Sequence, residues 1–536
     1  NLSANLVYEI RQIKNQQVGG RRVWTSIFTN PVLNQGDPSA SGINGFGTKD
    51  MERYAAYIGR LNYDYKSKYL LDLAFRYDGT YRYHPDKRWG FFPSVSGGWR
   101  ISEENFMKNN LAFVNNLKLR GSWGQMGRDA GNPFNYIPSY SVNTVGYVFQ
   151  GTTLTTGFTP PGLINYGLTW IETETINLGA DADLWNGKLG VTFDVFKKTR
   201  EGLLGNRVGL TPNTLGASFP QENLNSDAFK GVELSISHRN KINDFEYSVS
   251  ANATYARQQM IYTEKPAYGN SQARWLDQTA NGRYFGVGYV QNVTGQFTSL
   301  SQIQQAPLQG GTNGNAWVLP GSYIIEDMNG DGRIDGNDSR YAVWQGYVQA
   351  GNDFNAQNPP LQLGTNISMS YKNFDMNMLL QGATLFRIRM IYPSVQWASH
   401  LTGNTQVSYL DRWHTADVNA DPYNPNTEWV AGRWPALYLN RGNGRQDLGN
   451  NTIWWADGTY MRLKNIELGY TLPKNMLTAL KLQRMRVYVN GYNMFTLKGK
   501  IFRDLRVDPE KEEGRFGSGL EYPLMKTFNV GVNLTF

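Results

Sequence analysis

The twelve residues "DMNGDGRIDGND", 327 to 338, set acidic and amide side chains at alternate positions and a glycine at the sixth. A twelve-residue calcium loop takes ligands from positions 1, 3, 5, 7, 9 and 12, the seventh through its carbonyl, and needs glycine at 6 for the bend. Here the donors are Asp327, Asn329, Asp331, the carbonyl of Arg333, Asp335 and Asp338, with Gly332 at the bend and Ile334 as apolar anchor. An all-oxygen set suits Ca2+. Asp replaces the usual Glu at the last position, which makes two-oxygen capture less secure and the expected affinity modest. Flanking helices are not apparent in the pattern, so the expected role is a structural clip within a loop, not a helix-opening switch. The competing reading is a metal-free Asn/Asp/Gly turn.

A second candidate set is aromatic. The stretch 386–456 holds Trp397, Trp413, Trp429, Trp434, Trp454 and Trp455. Indole faces stack on sugar rings, and they also bury well in loop cores. Trp413, Trp429 and Trp434 are the candidates for substrate contact, set against packing within the loop or against a partner. No catalytic set emerges: His84, His238, His400 and His414 are scattered without a metalloprotease spacing, there is no cysteine nucleophile, and "GFGTKD" (45–50) lacks the P-loop spacing. The chain is read as not an enzyme.

Composition narrows the class. The 536 residues carry a net charge of +8 from cations dispersed among carboxylates, without the basic runs of a nucleic-acid arm, so no nucleic-acid partner is expected. Absence of cysteine excludes disulfides and thiolate zinc sites and is compatible with export through an oxidising periplasm. No stretch approaches the roughly eighteen apolar residues of a membrane helix. The start, "NLSANLVYEI", lacks the basic and apolar regions of a signal peptide and reads as internal to a longer protein.

The elements that must position these residues have period two. Tyr57, Leu61, Tyr63 and Tyr65 fall on one parity, with Arg60, Asn62 and Asp64 on the other; after a turn at Lys66–Lys68, Tyr69, Leu71, Leu73, Phe75 and Tyr77 resume the apolar face. The same unit recurs around Asn186-Gly187, read as a two-residue turn, and near Lys241 and Lys372. The final "FNVGVNLTF" alternates throughout, ending on Phe536. About 14 such strands can be counted. Short turns alternate with long connections at 13–52, 79–89, 125–168, 201–228, 257–359, 386–456 and 496–525. Strands with one apolar face and this end-to-end asymmetry describe an all-β, transmembrane antiparallel β-barrel with short periplasmic turns and long extracellular loops. Hydrocarbon cannot satisfy open backbone groups, so the sheet closes with its apolar face towards outer-membrane lipids. Tyr63, Tyr65, Tyr69 and Trp185, beside short turns, fit an interfacial girdle. The rival is a large soluble β-sandwich, against which the polar parity (Asn252, Thr254, Asn366, Ser368) argues.

Several long segments then resemble one family. "GRLNYDYKSKYLLDLAFRYDGT" with "RWGFFPSVSGGWRISEENFMK", "LKLRGSWGQMG", "TYMRLKNIELGYTLP", "RVYVNGYNMFTL", "DPE" (508–510) and "YPLMKTFNVGVNLTF" are similar to the barrel of SusC/RagA-like TonB-dependent outer-membrane transporters. The resemblance implies an outer-membrane barrel of a Gram-negative bacterium with 22 strands, of which about 14 are countable here. It implies an N-terminal plug, a SusD-like surface lipoprotein as lid, and TonB-energised import of oligomeric nutrients, glycan or peptide. Residues 1–536 would then be the C-terminal part of the barrel, lacking the plug, the TonB-binding segment and the first strands. On the same resemblance, the terminal Phe536 is an assembly signal. A surface glycan-binding β protein and an outer-membrane hydrolase are the alternative classes.

Overall fold

The computed structural model describes residues 1–23, 39, 43–149, 153–208, 217, 219–277, 279–309, 314–344, 359–390, 407–436, 449–477, 482–512 and 522–536. Trp397 and His400 lie outside the described residues.

One antiparallel sheet of 14 strands dominates, and its strand order is the sequence order. The strands are β1 (Leu2–Arg22), β2 (Ile43–Tyr65), β3 (Tyr69–Thr80), β4 (Trp89–Arg100), β5 (Val114–Arg128), β6 (Ile171–Leu184) and β7 (Leu189–Gly205). They continue with β8 (Glu222–Ile242), β9 (Phe245–Tyr262), β10 (Leu361–Tyr371), β11 (Phe374–Thr384), β12 (Tyr460–Thr471), β13 (Arg484–Lys498) and β14 (Thr527–Thr535). The up-and-down meander matches the expected count. It is linear, so β1 and β14 each keep one edge without a hydrogen-bonded strand among the described residues.

At one end the turns are tight. Tyr371 pairs with Phe374, and Ile242 with Phe245, leaving two-residue turns whose first members, Lys372 and Asn243, take positive φ (55° and 54°). The turn at Asn186-Gly187 is longer than expected. Leu184 pairs with Leu189, so four residues connect the strands, and Trp185, Asn186 and Gly187 all adopt positive φ. At the opposite end the connections are long. β1 and β2 also run well past the alternating region, Arg22 pairing with Ile43, which shortens the connection expected at 13–52 to residues 23–42. The reason is physical: beyond the lipid a strand no longer needs one apolar face, so pairing continues where the period vanishes.

The faces differ as the parity requires. Leu73, Leu178, Phe193, Leu234 and Val489 all stand exposed on one face. Large apolar side chains exposed along one face mark a surface for membrane or protein contact. Tyr63, Tyr65, Tyr69 and Trp185 are exposed beside the short turns. On the same face towards the other end, Tyr8, Tyr57, Trp89 and Tyr77 make a chain of ring contacts, with centroids 4.8, 6.1 and 4.9 Å apart. Two aromatic levels bracketing an apolar band define the wall of a membrane barrel. No helix among the described residues is long and apolar enough to cross a membrane.

Candidate functional site: inner wall and fused outer loops

The polar face is stitched by ion pairs that cross strands. Arg120 on β5 donates to Asp181 on β6 (3.0 Å) and Asp194 on β7 (2.6 Å). Arg200 on β7 holds Asp227 on β8 (2.8 Å), whose carboxylate also accepts from Gln258 on β9; Asp227 is fully buried. Arg486 on β13 bridges Asp375 on β11 (2.9 Å) and Glu467 on β12 (2.7 Å). Arg60 on β2 pairs with Asp72 on β3 (2.9 Å), and Arg76 pairs with Asp78 within β3 (2.8 Å). Fixed charges of both signs make this face hydrophilic, as a water-filled path requires.

Above it, three connections share one core. Tyr323 from 263–360, Phe386, Ile388, Met390, Tyr409, Trp434 and Trp454 from 385–459, and Phe502, Leu505 and Val507 from 499–526 are mutually buried. Burying a single large apolar side chain stabilises by about 1.5–3 kcal/mol, so this cluster holds the loops as one body. A polar clamp anchors it to the wall. Arg462 on β12, only 3% exposed, meets Asp508 (2.5 Å) and Glu510 (3.0 Å), and Lys464 also reaches Glu510. The tripeptide "DPE" is thereby explained: both its acids are gripped by the inner face of β12. Sequence reading quoted this motif but assigned its acids no partners, because the residues lie 46 positions apart.

The tryptophans divide by burial. Trp434 is 2% exposed, its ring 5.8 Å from those of both Tyr409 and Trp454, and Arg433 lies 4.9 Å from its centroid. Trp413 is buried against Gly321, whose positive φ (88°) and missing Cβ make room for the indole. Both therefore serve the loop core. Trp429, half-buried in a short two-stranded pairing with Thr415, is the one of the three with surface left for a ligand.

The segment 327–338 forms a closed turn. Asp327 accepts from the backbone N–H of Gly330 and Gly332 (both 2.8 Å), Asp331 from Arg333 (2.8 Å), Asp335 from Asn337 (2.6 Å), and buried Asp338 from Met328 and Asp335 (2.9 and 2.8 Å). Gly330 and Gly332 take positive φ, as the tight bend demands. Ile334 is buried, as expected of the anchor, and is bonded through its N–H to Leu308, while Gln291 donates to the Asp335 carbonyl (2.9 Å). The donors are hard oxygens, appropriate to Ca2+, but each carboxylate is turned towards the loop's own amides. Among the described residues no three acidic or histidine side chains converge on a metal position.

A second polar knot lies in the same connection. Burial pushes the Asp277 carboxyl up, but hydrogen bonds from Lys265, Tyr268 (2.5 Å) and the Thr279 N–H (2.9 Å) outweigh it and hold the group at about 2.

Fold and faces together define an outer-membrane β-barrel wall. The chain belongs to the family described as "TonB dependent receptor-like, beta-barrel", whose family model matches residues 2–371. TonB-dependent receptor P3 of Formosa agariphila is 27% identical over 89% of this chain and 45% of its own length. TonB-dependent receptor SusC of Bacteroides thetaiotaomicron is 28% identical over 90% of this chain and 43% of its own. The chain thus spans about half the length of the curated relatives it matches. Among solved structures, the RagAB peptide importer in its open-open state superposes with a TM-score of 0.71 at 19% identity, over all of this chain and 52% of that one. This likeness establishes the fold: a SusC/RagA-like outer-membrane barrel.

Proposed function

We propose that the chain is the larger part of the wall of an importer of oligomeric nutrients, working as the SusC-like channel beneath a SusD-like surface lipoprotein. TonB supplies the energy through a plug and TonB-binding segment contributed by the rest of the protein, which also completes the open edges of the sheet. The observation that carries this reading is the family match along 2–371 on a wall whose charged, hydrophilic face lies opposite the lipid face. The relatives' printed names leave cargo open: the RagAB structures are of a peptide importer, while the receptor names state no cargo. Both glycan and peptide therefore stay as cargo classes. The decisive experiment is uptake of labelled oligosaccharide and oligopeptide pools by cells carrying the full-length protein, with and without functional TonB. One pool should enter, and only with TonB. Entry independent of TonB would mean a passive pore; binding without entry, a surface glycan-binding protein; release of shortened oligomers, a hydrolase.

Three site assignments belong to this reading. Trp429 contacts cargo, with Trp413 and Trp434 supporting the loops behind it. The 327–338 loop takes Ca2+ through Asp327, Asn329, Asp331, the Arg333 carbonyl, Asp335 and Asp338 as a structural clip; the motif spacing and the two turn glycines support this. Phe536, exposed after the last strand, is read by the assembly machinery, so Phe536→Ala should lower surface levels severalfold on immunoblots of intact cells. Unchanged levels would withdraw that role.

A further inference from the structure

We propose that a file of aromatic rings at the outer mouth of the polar face is an entry track for cargo, and that it selects uncharged glycan chains. The proposal rests on the import reading for the direction of traffic alone. The file starts on the wall. Tyr54 on β2 pairs with Thr80 on β3 and with Arg11 on β1, and shares the parity of Arg60, so its ring stands on the polar face. From there the rings follow one another across two connections, 81–88 and 129–170. Tyr54 meets Tyr81 (6.0 Å between centroids), Tyr81 meets Phe134 (5.6 Å), and Phe134 meets Tyr136 (6.2 Å). His84 then touches both Tyr136 (5.6 Å) and Tyr166 (5.8 Å). Every contact is tilted or edge-on, with interplanar angles of 57–87°, so neighbours do not stack each other's faces shut. Phe134 and Tyr166 stand 47% and 56% exposed.

The rings are held from below. Tyr83, Phe92, Leu168 and Trp170 form a buried core. Phe92 on β4 pairs with Arg76 and has the polar-face parity of Ser94, so this core anchors both connections to the inner side of the wall. The Tyr83 hydroxyl accepts from the Ala130 N–H (2.7 Å), the Phe134 N–H donates to the Arg82 carbonyl (3.3 Å), and the Trp170 indole N–H donates to the Arg88 carbonyl (3.1 Å). An aromatic surface fixed before its ligand arrives loses little side-chain freedom on binding. The charges beside the file are engaged with their neighbours. Arg82 is ion-paired with Glu52 (3.1 Å) and Asp129 (2.9 Å), and the Tyr54 hydroxyl donates to Glu52 (2.8 Å). Arg88 donates to the Tyr83 carbonyl and the Tyr136 hydroxyl (both 3.0 Å), and the Arg11 guanidinium lies 4.7 Å from the Tyr54 centroid. What the file itself offers is therefore ring faces and phenol hydroxyls.

A sugar ring presents an apolar C–H face that stacks on an aromatic face, while its hydroxyls bond phenols and water. A glycan repeats that face once per unit, which suits rings in single file; a protein partner calls for a compact patch with a buried centre. The test uses full-length protein in detergent and three tagged probe pools of similar length. They are neutral oligosaccharides from hydrolysed glucan, mannan, xylan and galactan, acidic ones from polygalacturonate, and tryptic oligopeptides. Wild-type protein should retain the neutral pool best. Phe134→Ala/Tyr166→Ala should bind it at least about tenfold less with the heat-modifiable folded form intact, and Phe134→Tyr/Tyr166→Phe should bind as wild type does. Preference for the acidic or peptide pool, or retention of none, overturns the proposal. So does unchanged binding by the alanine pair, or release of a co-purifying protein in place of glycan, which would make the file a protein interface. TonB-dependent uptake, scored in parallel, keeps the two readings apart. Ring-dependent glycan binding without uptake ends the import reading and leaves the glycan site standing, whereas uptake with ring-independent binding ends the track alone.

Discussion

At the residue scale the structure turns on a few groups whose partners come from distant sequence. Asp277 has its carboxyl at about 2, below the ordinary 3.8. A depressed folded-state value contributes stability that is present above the unfolded pKa and lost as pH falls towards the folded one. The 263–286 stretch should therefore open between pH 4 and pH 2, seen as accelerating pepsin cleavage there, and Asp277→Asn should be nearly flat across that window. A wild-type rate independent of pH would refute the knot. Trp434, sandwiched between two rings, is worth about 3–5 kcal/mol against alanine. Trp434→Ala should expose 385–459 to protease on intact cells while leaving the barrel folded; equal cleavage would show that the core does not hold the loops. Of these groups, sequence reading identified the tryptophans but not which were buried. Indole chemistry is the same in a core as in a binding face, and only the partner rings decide.

At the element scale, the strands were legible because lipid on one side and water on the other enforce a period of two. Leu189 to Val195 and Phe528 to Leu534 announce their faces residue by residue. Legibility ended where the lipid ends. The upper half of β1 carries Arg11, Lys14, Asn15 and Gln17 without alternation, yet still pairs with β2. The calcium-type loop was legible as a motif, whereas its stitching to Leu308 and Gln291 was not, since hydrogen bonds to backbone carbonyls leave no trace in residue types. Chelation of calcium should raise protease cleavage around residue 327 severalfold, with protection restored by Ca2+ and abolished in Asp331→Asn. Cleavage equal with and without chelator would leave the loop a hydrogen-bonded turn. Near the C-terminus, a Cβ at Gly531 would meet the Tyr488 ring at 2.3 Å across the β13–β14 pair. Gly531→Val should cost about 1–3 kcal/mol through displacement of that ring, read as a lower heat-modifiability midpoint; an unchanged midpoint would show the ring moves freely.

At the scale of the whole molecule, the two faces of the sheet differ in charge. Arg120, Arg200 and Arg486 on the polar face each hold a carboxylate on another strand, and Arg462 anchors the loops, while the opposite face presents an apolar band. This separation makes a single sheet serve two solvents, with the aromatic levels marking the boundary on each side. The proposed function makes the polar face the transport path, so its side chains must meet water while their immediate neighbours meet lipid. The chain has no cysteine, which permits a direct test with single substitutions. Leu234 and Ser235, adjacent on β8, point to opposite faces. In the full-length protein in outer membranes, Ser235→Cys should react with a membrane-impermeant maleimide and Leu234→Cys should not, with cargo slowing the first reaction. Equal labelling at both positions, or the reverse pattern, would contradict the assignment of the polar face to the transport path.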